Sequence, residues 1–281
     1  MADITAADVK KLRELTDAPM MACKKALVDA DGDFDKAADL VRERTGAKMD
    51  ARAAERIAGE GAVFGHTADG VGALVQVSCE TDFVAKGDRF QELGNRLAQH
   101  VAEQAQQDVD ALLTSELDGK KVSDVLSEVQ AVTGEKLEVA TFTRFEGSVH
   151  TYLHVPSPGA PAKVGVIVNL DADGASEDEV GALARGLTMH IAAMKPIVVS
   201  EEQVDPALVE KEKDFARKEA LEEGKPEHIV DRIVEGKVKK VYSEWVLLNQ
   251  PYVLDDKQTV GKAVESVDGV SVTDFRRFQV G

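Results

Sequence analysis

His150 and His154 stand four residues apart, Asp29, Asp31, Asp33 and Asp35 alternate, and Gly65 and Gly70 have the interval of a phosphate-binding loop. Each pattern could do chemistry if its neighbours allowed it. Histidines four apart on a helix share one face, but Thr151, Tyr152, Leu153 and Val155 read as a strand, which holds the two rings well apart. No third ligand accompanies them, so they make no metal site. The aspartates lack a glycine and a bidentate glutamate where a calcium loop needs them, so Asp31-Gly32-Asp33 reads as an interhelical turn. Val71 and Gly72 follow Gly70 where a phosphate loop requires Lys and Ser or Thr, and Gly59, Gly61 and Gly65 miss the dinucleotide spacing. No serine has a nucleophile-elbow context and no carboxylate pair stands out. The matching places of His100 and His190, described below, argue for packing rather than catalysis. These patterns point away from an enzyme, a metal centre or a bound cofactor.

The residues that remain are contact residues. In Cys79-Glu80-Thr81-Asp82-Phe83-Val84-Ala85-Lys86 a large ring sits beside a carboxylate, directly after an apolar strand. Phe83 is either a core plug or a wedge offered to a partner. Its polar and turn-forming neighbours, with Asp88 available to cap the next helix, place it in a strand-to-helix turn, where functional side chains are often exposed. Met20 and Met21 are adjacent on a helix, so one fills the core and the other is exposed, where a flexible thioether makes a good partner contact.

The elements that position these residues follow from periodicity. Thr5 and Asp8 cap a first helix with Val9, Leu12 and Leu15 on one face; Pro19 starts a second, carrying Met21, Ala22, Ala26 and Leu27; Asp33 caps a third that ends at Thr45-Gly46. The rest holds a duplication. Strand Gly72–Val77 precedes a helix with Leu97-Ala98-Gln99-His100-Val101-Ala102. Strand Val164–Val168 precedes one with Leu187-Thr188-Met189-His190-Ile191-Ala192. The halves close on Phe142-Thr143-Arg144-Phe145 and Phe275-Arg276-Arg277-Phe278. The repeated order predicts two related α+β units. Two charged helices, Val204 to Ala220 and Pro226 to Val241, flank Glu223-Gly224-Lys225 as an inserted αα-hairpin with a stripe of Ile229, Ile233 and Val234. A solvated pair on its own core and a docking arm for another subunit stand level as readings of it.

The expected division is a three-helix domain at 1–46, a helical linker at 47–60, core units at 61–147 and 148–281, and the hairpin at 200–242. The chain has 281 residues, 43% of them hydrophobic, and a net charge of -17. That is enough apolar content for real cores, and a field that repels nucleic acid and anionic membranes. Two isolated cysteines, Cys23 and Cys79, give no disulfide framework. The start Met1-Ala2-Asp3-Ile4 has no signal-peptide pattern, and no apolar run is long enough for a bilayer, so the expected location is the cytoplasm.

With these motifs in order, the chain resembles the elongation factor Ts family of translation factors, guanine-nucleotide exchange factors for elongation factor Tu. The resemblance runs over essentially the whole length. It is carried by Val9-Lys10-Lys11-Leu12-Arg13, Met20 to Leu27, Thr81-Asp82-Phe83-Val84-Ala85, His190-Ile191-Ala192-Ala193-Met194-Lys195-Pro196, Gly224-Lys225-Pro226 and Val234-Glu235-Gly236-Lys237. It implies an α+β fold: a ubiquitin-associated-like three-helix N-terminal domain, then a core of two related subdomains with a protruding helical hairpin. It implies that Thr81 to Val84 enters the partner's nucleotide domain, with Phe83 pushing between two helices and disturbing the magnesium site. Met20 and Met21 touch the same domain elsewhere, and the second core unit grips a distal domain. Self-association or docking through the hairpin is a further option. Two departures stand out. Thr16-Asp17-Ala18-Pro19 replaces the common Thr-Gly-Ala-Gly, and some members carry a helical module beyond the position of Gly281. The competing reading is a scaffold that bridges proteins without promoting nucleotide release.

Overall fold

A computed structural model describes residues 4–16, 20–41 and 58–281. Pro19, the helix end expected at Thr45-Gly46 and nearly all of the expected linker lie outside the described residues. Three helical segments open the chain: α1 (Ala6–Thr16), α2 (Met20–Asp29) and α3 (residues 34–41). Thr5 and Asp8 cap α1 mutually, the threonine hydroxyl accepting from the Asp8 amide and the carboxylate from the Thr5 amide. The chain turns at Asp31 and Gly32, both at positive φ, and Asp33 then accepts the Lys36 amide at 3.2 Å to start α3. Val9, Leu12, Cys23, Ala26 and Leu27 meet Ala37, Ala38 and Val41 in a small core.

The remainder is mixed helix and sheet. Strands β1 (Glu60–Ala68) and β2 (Val71–Cys79) form a hairpin. Helices α4 (Asp82–Lys86), α5 (Asp88–Gln104) and α6 (Val109–Thr114) follow. A short ribbon of β3 (Glu116–Leu117) and β4 (Lys120–Lys121) leads to α7 (Val122–Thr133) and to β5 (Glu138–Glu146), which pairs antiparallel with β2. The order then repeats. Strands β6 (Ser148–His154) and β7 (Val164–Ala172) precede α8 (Glu177–Met194) and the long pair α9 (Pro206–Glu222) and α10 (Glu227–Trp245). The ribbon β8 (Pro251–Tyr252) and β9 (Asp255–Thr259), then α11 (Val260–Glu265), lead to β10 (Val270–Gln279), which pairs with β7. The sheets run β1-β2-β5 and β6-β7-β10.

The duplication extends to individual bonds. Phe142 and Phe145 stand opposite Val75 and Gly72, and Phe275 and Phe278 opposite Val168 and Gly165. Arg144 Nε donates to the Ala102 carbonyl at 2.7 Å, and Arg277 Nε to the Ala192 carbonyl at 3.2 Å. Ala102 and Ala192 hold matching places near the ends of α5 and α8, just before left-handed caps at Ala105 and Lys195. One arginine of each closing strand thus satisfies a carbonyl that its helix leaves unpaired.

The sheets pack face to face with a helix outside each, giving the layer order α5, sheet, sheet, α8. Alternation along the central strands makes this possible. Ala73, Val75 and Val77 face α5, Val166, Val168 and Leu170 face α8, and Leu74 and Ile167 meet between the sheets with Val63 and Val149. Two glycines set the approach. A Cβ at Gly72 would lie 2.4 Å from Val149 Cγ1, and one at Gly165 would lie 2.3 Å from Val63 Cγ1. Each edge-strand valine therefore seats on the other sheet's central glycine. Gly165→Ala should cost about 1–3 kcal/mol by overpacking, read as a lower denaturant midpoint. Adding Val63→Ala should give a double variant less destabilised than the sum of the two changes.

His190 is fully buried on α8. Its Nδ1 accepts the Val253 amide at 3.1 Å, so the proton of the neutral ring sits on Nε2, which donates to Gln250 Oε1 at 2.7 Å. His100, at the matching place on α5, reaches Ser115 Oγ through Nε2 at 2.7 Å. His100 thus ties α5 to the end of α6, and His190 ties α8 to the chain that returns after α10. Burial holds the pKa values of His100, His150 and His190 below the ordinary 6.5. The unfolded chain then binds protons below pH 6.5 that the folded chain refuses, so stability is lost as pH falls through that value. Denaturation midpoints should drop between pH 7 and 5.5, and His190→Gln should flatten the slope.

Candidate partner-binding site

Strand β2 is buried on both faces and ends at Cys79. The next residues are held by a carboxylate remote in sequence. Glu135, just after α7, accepts the Glu80 amide at 3.2 Å, the Thr81 amide at 3.0 Å and the Thr81 hydroxyl at 2.6 Å. Glu80 returns the contact by accepting the Lys136 amide at 2.8 Å. Having given its proton to Glu135, the Thr81 oxygen accepts the Val84 amide at 3.4 Å and caps α4. The segment expected to be a strand-to-helix turn takes the form of a single capped helical turn. Asp88 does not cap the following helix. It lies inside the first turn of α5, and the cap position is held by Gly87, which has no side chain to cap with and whose amide closes α4 onto the Val84 carbonyl.

The four residues of this turn have different tasks. Ala85 is buried and Val84 packs on the core of the first unit, fixing the turn's inner face. Phe83 points outward and is 82% exposed, among the large apolar side chains left in water. Asp82 pairs with Lys86 one turn on at 2.6 Å, and that bond holds its carboxyl below the usual range. Cys79 donates to the Thr81 carbonyl at 3.1 Å. Burial, reinforced by the charge of Glu135, pushes its thiol up to about 12, so it is a packing group and no nucleophile.

Met20 and Met21 open α2 and both are exposed, at 55% and 74%. The expectation that one fills the core is corrected. The buried stripe of α2 starts at Cys23 and continues through Ala26 and Leu27, so the methionine pair overhangs the end of the small core. The hairpin stripe is corrected at two of its three residues, Ile229 and Ile233, while Val234 packs inward. Helices α9 and α10 meet through Ala216, Ala220, Val230 and Val234, where small side chains allow close approach; Ile229, Ile233 and Phe215 are left outside. Arg217–Asp231 and Lys237–Glu212 pairs cross between the two helices.

A second open surface comes from a difference between the repeats. In the first, Phe64 of β1 fills the space under α5, its ring 5.8 Å from that of Phe90 and against the bare backbone of Gly94. In the second, His150 stands at the position of Phe64, and a groove of about 820 Å³ lies beside it between β6 and α8. His150, Tyr152, Arg185 and Met189 line it. His154 lies at the end of β6, its Nδ1 3.0 Å from the Tyr152 hydroxyl. Among the described residues no helix is long and apolar enough to cross a membrane.

Residues 80–281 match the family model described as Elongation factor TS. The chain is 46% identical to Elongation factor Ts of Acidothermus cellulolyticus over all of its own length and 99% of the relative's. It is 45% identical to that of Thermobifida fusca, with the same coverage, and 44% identical to that of Streptomyces ramocissimus over the whole of both chains. The fold, the exposed turn and these likenesses agree: the chain belongs to the elongation factor Ts family.

Proposed function

We propose that this protein is a guanine-nucleotide exchange factor that binds elongation factor Tu carrying GDP and promotes GDP release. The observation that carries the reading is an exposed phenyl ring on a turn anchored from both sides. Phe83 is the most exposed of the large apolar side chains among the described residues, and a ring held in a fixed place is suited to insertion. Phe83 acts as the wedge entering the partner's nucleotide domain, with Thr81 and Val84 as its footing. Once inserted, the ring disturbs the site of the magnesium ion, a principal local charge on the bound phosphates.

Magnitudes limit what the ring does alone. A nucleotide held near nanomolar represents about 12 kcal/mol, whereas burying one Phe returns about 1.5–3 kcal/mol. The rest comes from a broad surface that favours the emptied partner over the loaded one. On this proposal Met20 and Met21 of the N-terminal helices hold the nucleotide domain, the groove beside His150 and Tyr152 holds a distal domain, and the hairpin serves assembly. By linkage, rising nucleotide concentration drives the factor off again. No covalent chemistry is required of this chain.

Phe83→Ala should leave the factor folded and slow stimulated release of a fluorescent GDP from elongation factor Tu by about tenfold or more, since 1.4 kcal/mol is a factor of ten. An unchanged rate rejects the wedge. Replacing residues 206–245 with a short Gly-Ser linker should alter the size of assemblies seen by light scattering while stimulated release stays within about twofold. Loss of release with unaltered assembly would sink the role given to the hairpin.

A further inference from the structure

We propose that Glu135 is the positioning residue of the exchange step, acting through Thr81 on Phe83; the inference rests on the wedge reading above. Glu135 has no apolar surface to offer a partner, yet its carboxylate takes three hydrogen bonds from two consecutive residues at the base of the turn. Without it, two amides and a hydroxyl beside a buried thiol would need other acceptors.

Glu135 is itself held. Gly134 closes α7 at φ 73, its amide 2.8 Å from the Gln130 carbonyl. The Glu135 amide reaches Thr133 Oγ1 at 3.4 Å, and Gln130 Oε1 accepts the amide of the buried Leu137 at 2.8 Å. On the far side of the turn, Gln91 Nε2 donates to the Ala85 carbonyl at 2.6 Å. A frame of hydrogen bonds thus runs from α7 through Glu135 to Thr81, across α4 and into α5, and Phe83 is the apolar side chain of α4 that it leaves exposed. Ordering a segment during association has an entropic cost, and a turn ordered beforehand avoids it. The charged acceptor also matters to the cap. While the Thr81 hydroxyl donates to Glu135, its lone pairs are aimed at the Val84 amide.

The test measures stimulated release of fluorescent GDP as a function of factor concentration, which separates the maximal rate from the half-saturating concentration. A positioning role predicts that Glu135→Ala lowers the maximal rate about tenfold while the half-saturating concentration moves less than about twofold, because the other contacts survive. Glu135→Gln, which still accepts from both amides, should recover most of the loss. In a Phe83→Ala background, Glu135→Ala should add less than about twofold. Thr81→Val, which removes the hydroxyl and keeps both amides, provides the same measurement if Glu135→Ala melts at the assay temperature. A maximal rate unchanged in Glu135→Ala or in its substitute, or a loss that multiplies fully with that of Phe83→Ala, overturns the positioning role and leaves the wedge standing. No loss in Phe83→Ala itself removes the wedge, and this inference with it.

Discussion

A phenyl ring in water stays in place only if its backbone is held by something stronger than the ring's own tendency to bury itself. Here the hold is a charge-assisted clasp between Glu135 and the Glu80-Thr81 amides, joining the start of α4 to the end of α7. Everything around it serves to keep it rigid. Strand β2 delivers Thr81 from a fully buried centre, Val84 and Ala85 weld the inner face to the core, and Glu80 returns the clasp through the Lys136 amide. The turn can then present Phe83 outward at no further cost in order.

The duplicated core provides the platform. Its halves share their register, their helix-end arginines and the valine-on-glycine contacts that bring the sheets together. Because the frames match, their differences are informative. The first unit spends its space under the helix on Phe64 and Phe90 and carries its exposed ring on the turn after β2. The second has His150 in place of Phe64, beside an open groove. One architecture thus offers a protrusion in one half and a concavity in the other.

Much of this was legible from residue order. Alternation in β2 and β7, the paired Leu-x-x-His-x-Ala helices and the two Phe-x-Arg-Phe strands reveal the repeat before any coordinates, since burial on one or two faces of a sheet dictates apolar spacing. The turn at Asp31-Gly32 and the αα-hairpin break at Gly224 are legible because left-handed backbone favours glycine and its neighbours. Local periodicity failed where two packing choices differ by one residue. Ile229, Ile233 and Val234 read as a core stripe; Val234 packs inward as read, but Val230 rather than the two isoleucines joins it against alanines of the facing helix. Both methionines of α2 stay outside because the three-helix core is already filled by shorter side chains.

Short-range chemistry, set by neighbours a few residues apart, specified the elements, the duplication and a strand-to-helix turn bearing a phenylalanine. Which way that ring faces, and what holds it there, arose only when the chain closed up. Glu135 stands 54 residues from Thr81, and no periodicity or spacing rule links a carboxylate after one helix to the cap of another. Such contacts depend on how the sheet stacks its helices, and that is a property of the assembled core.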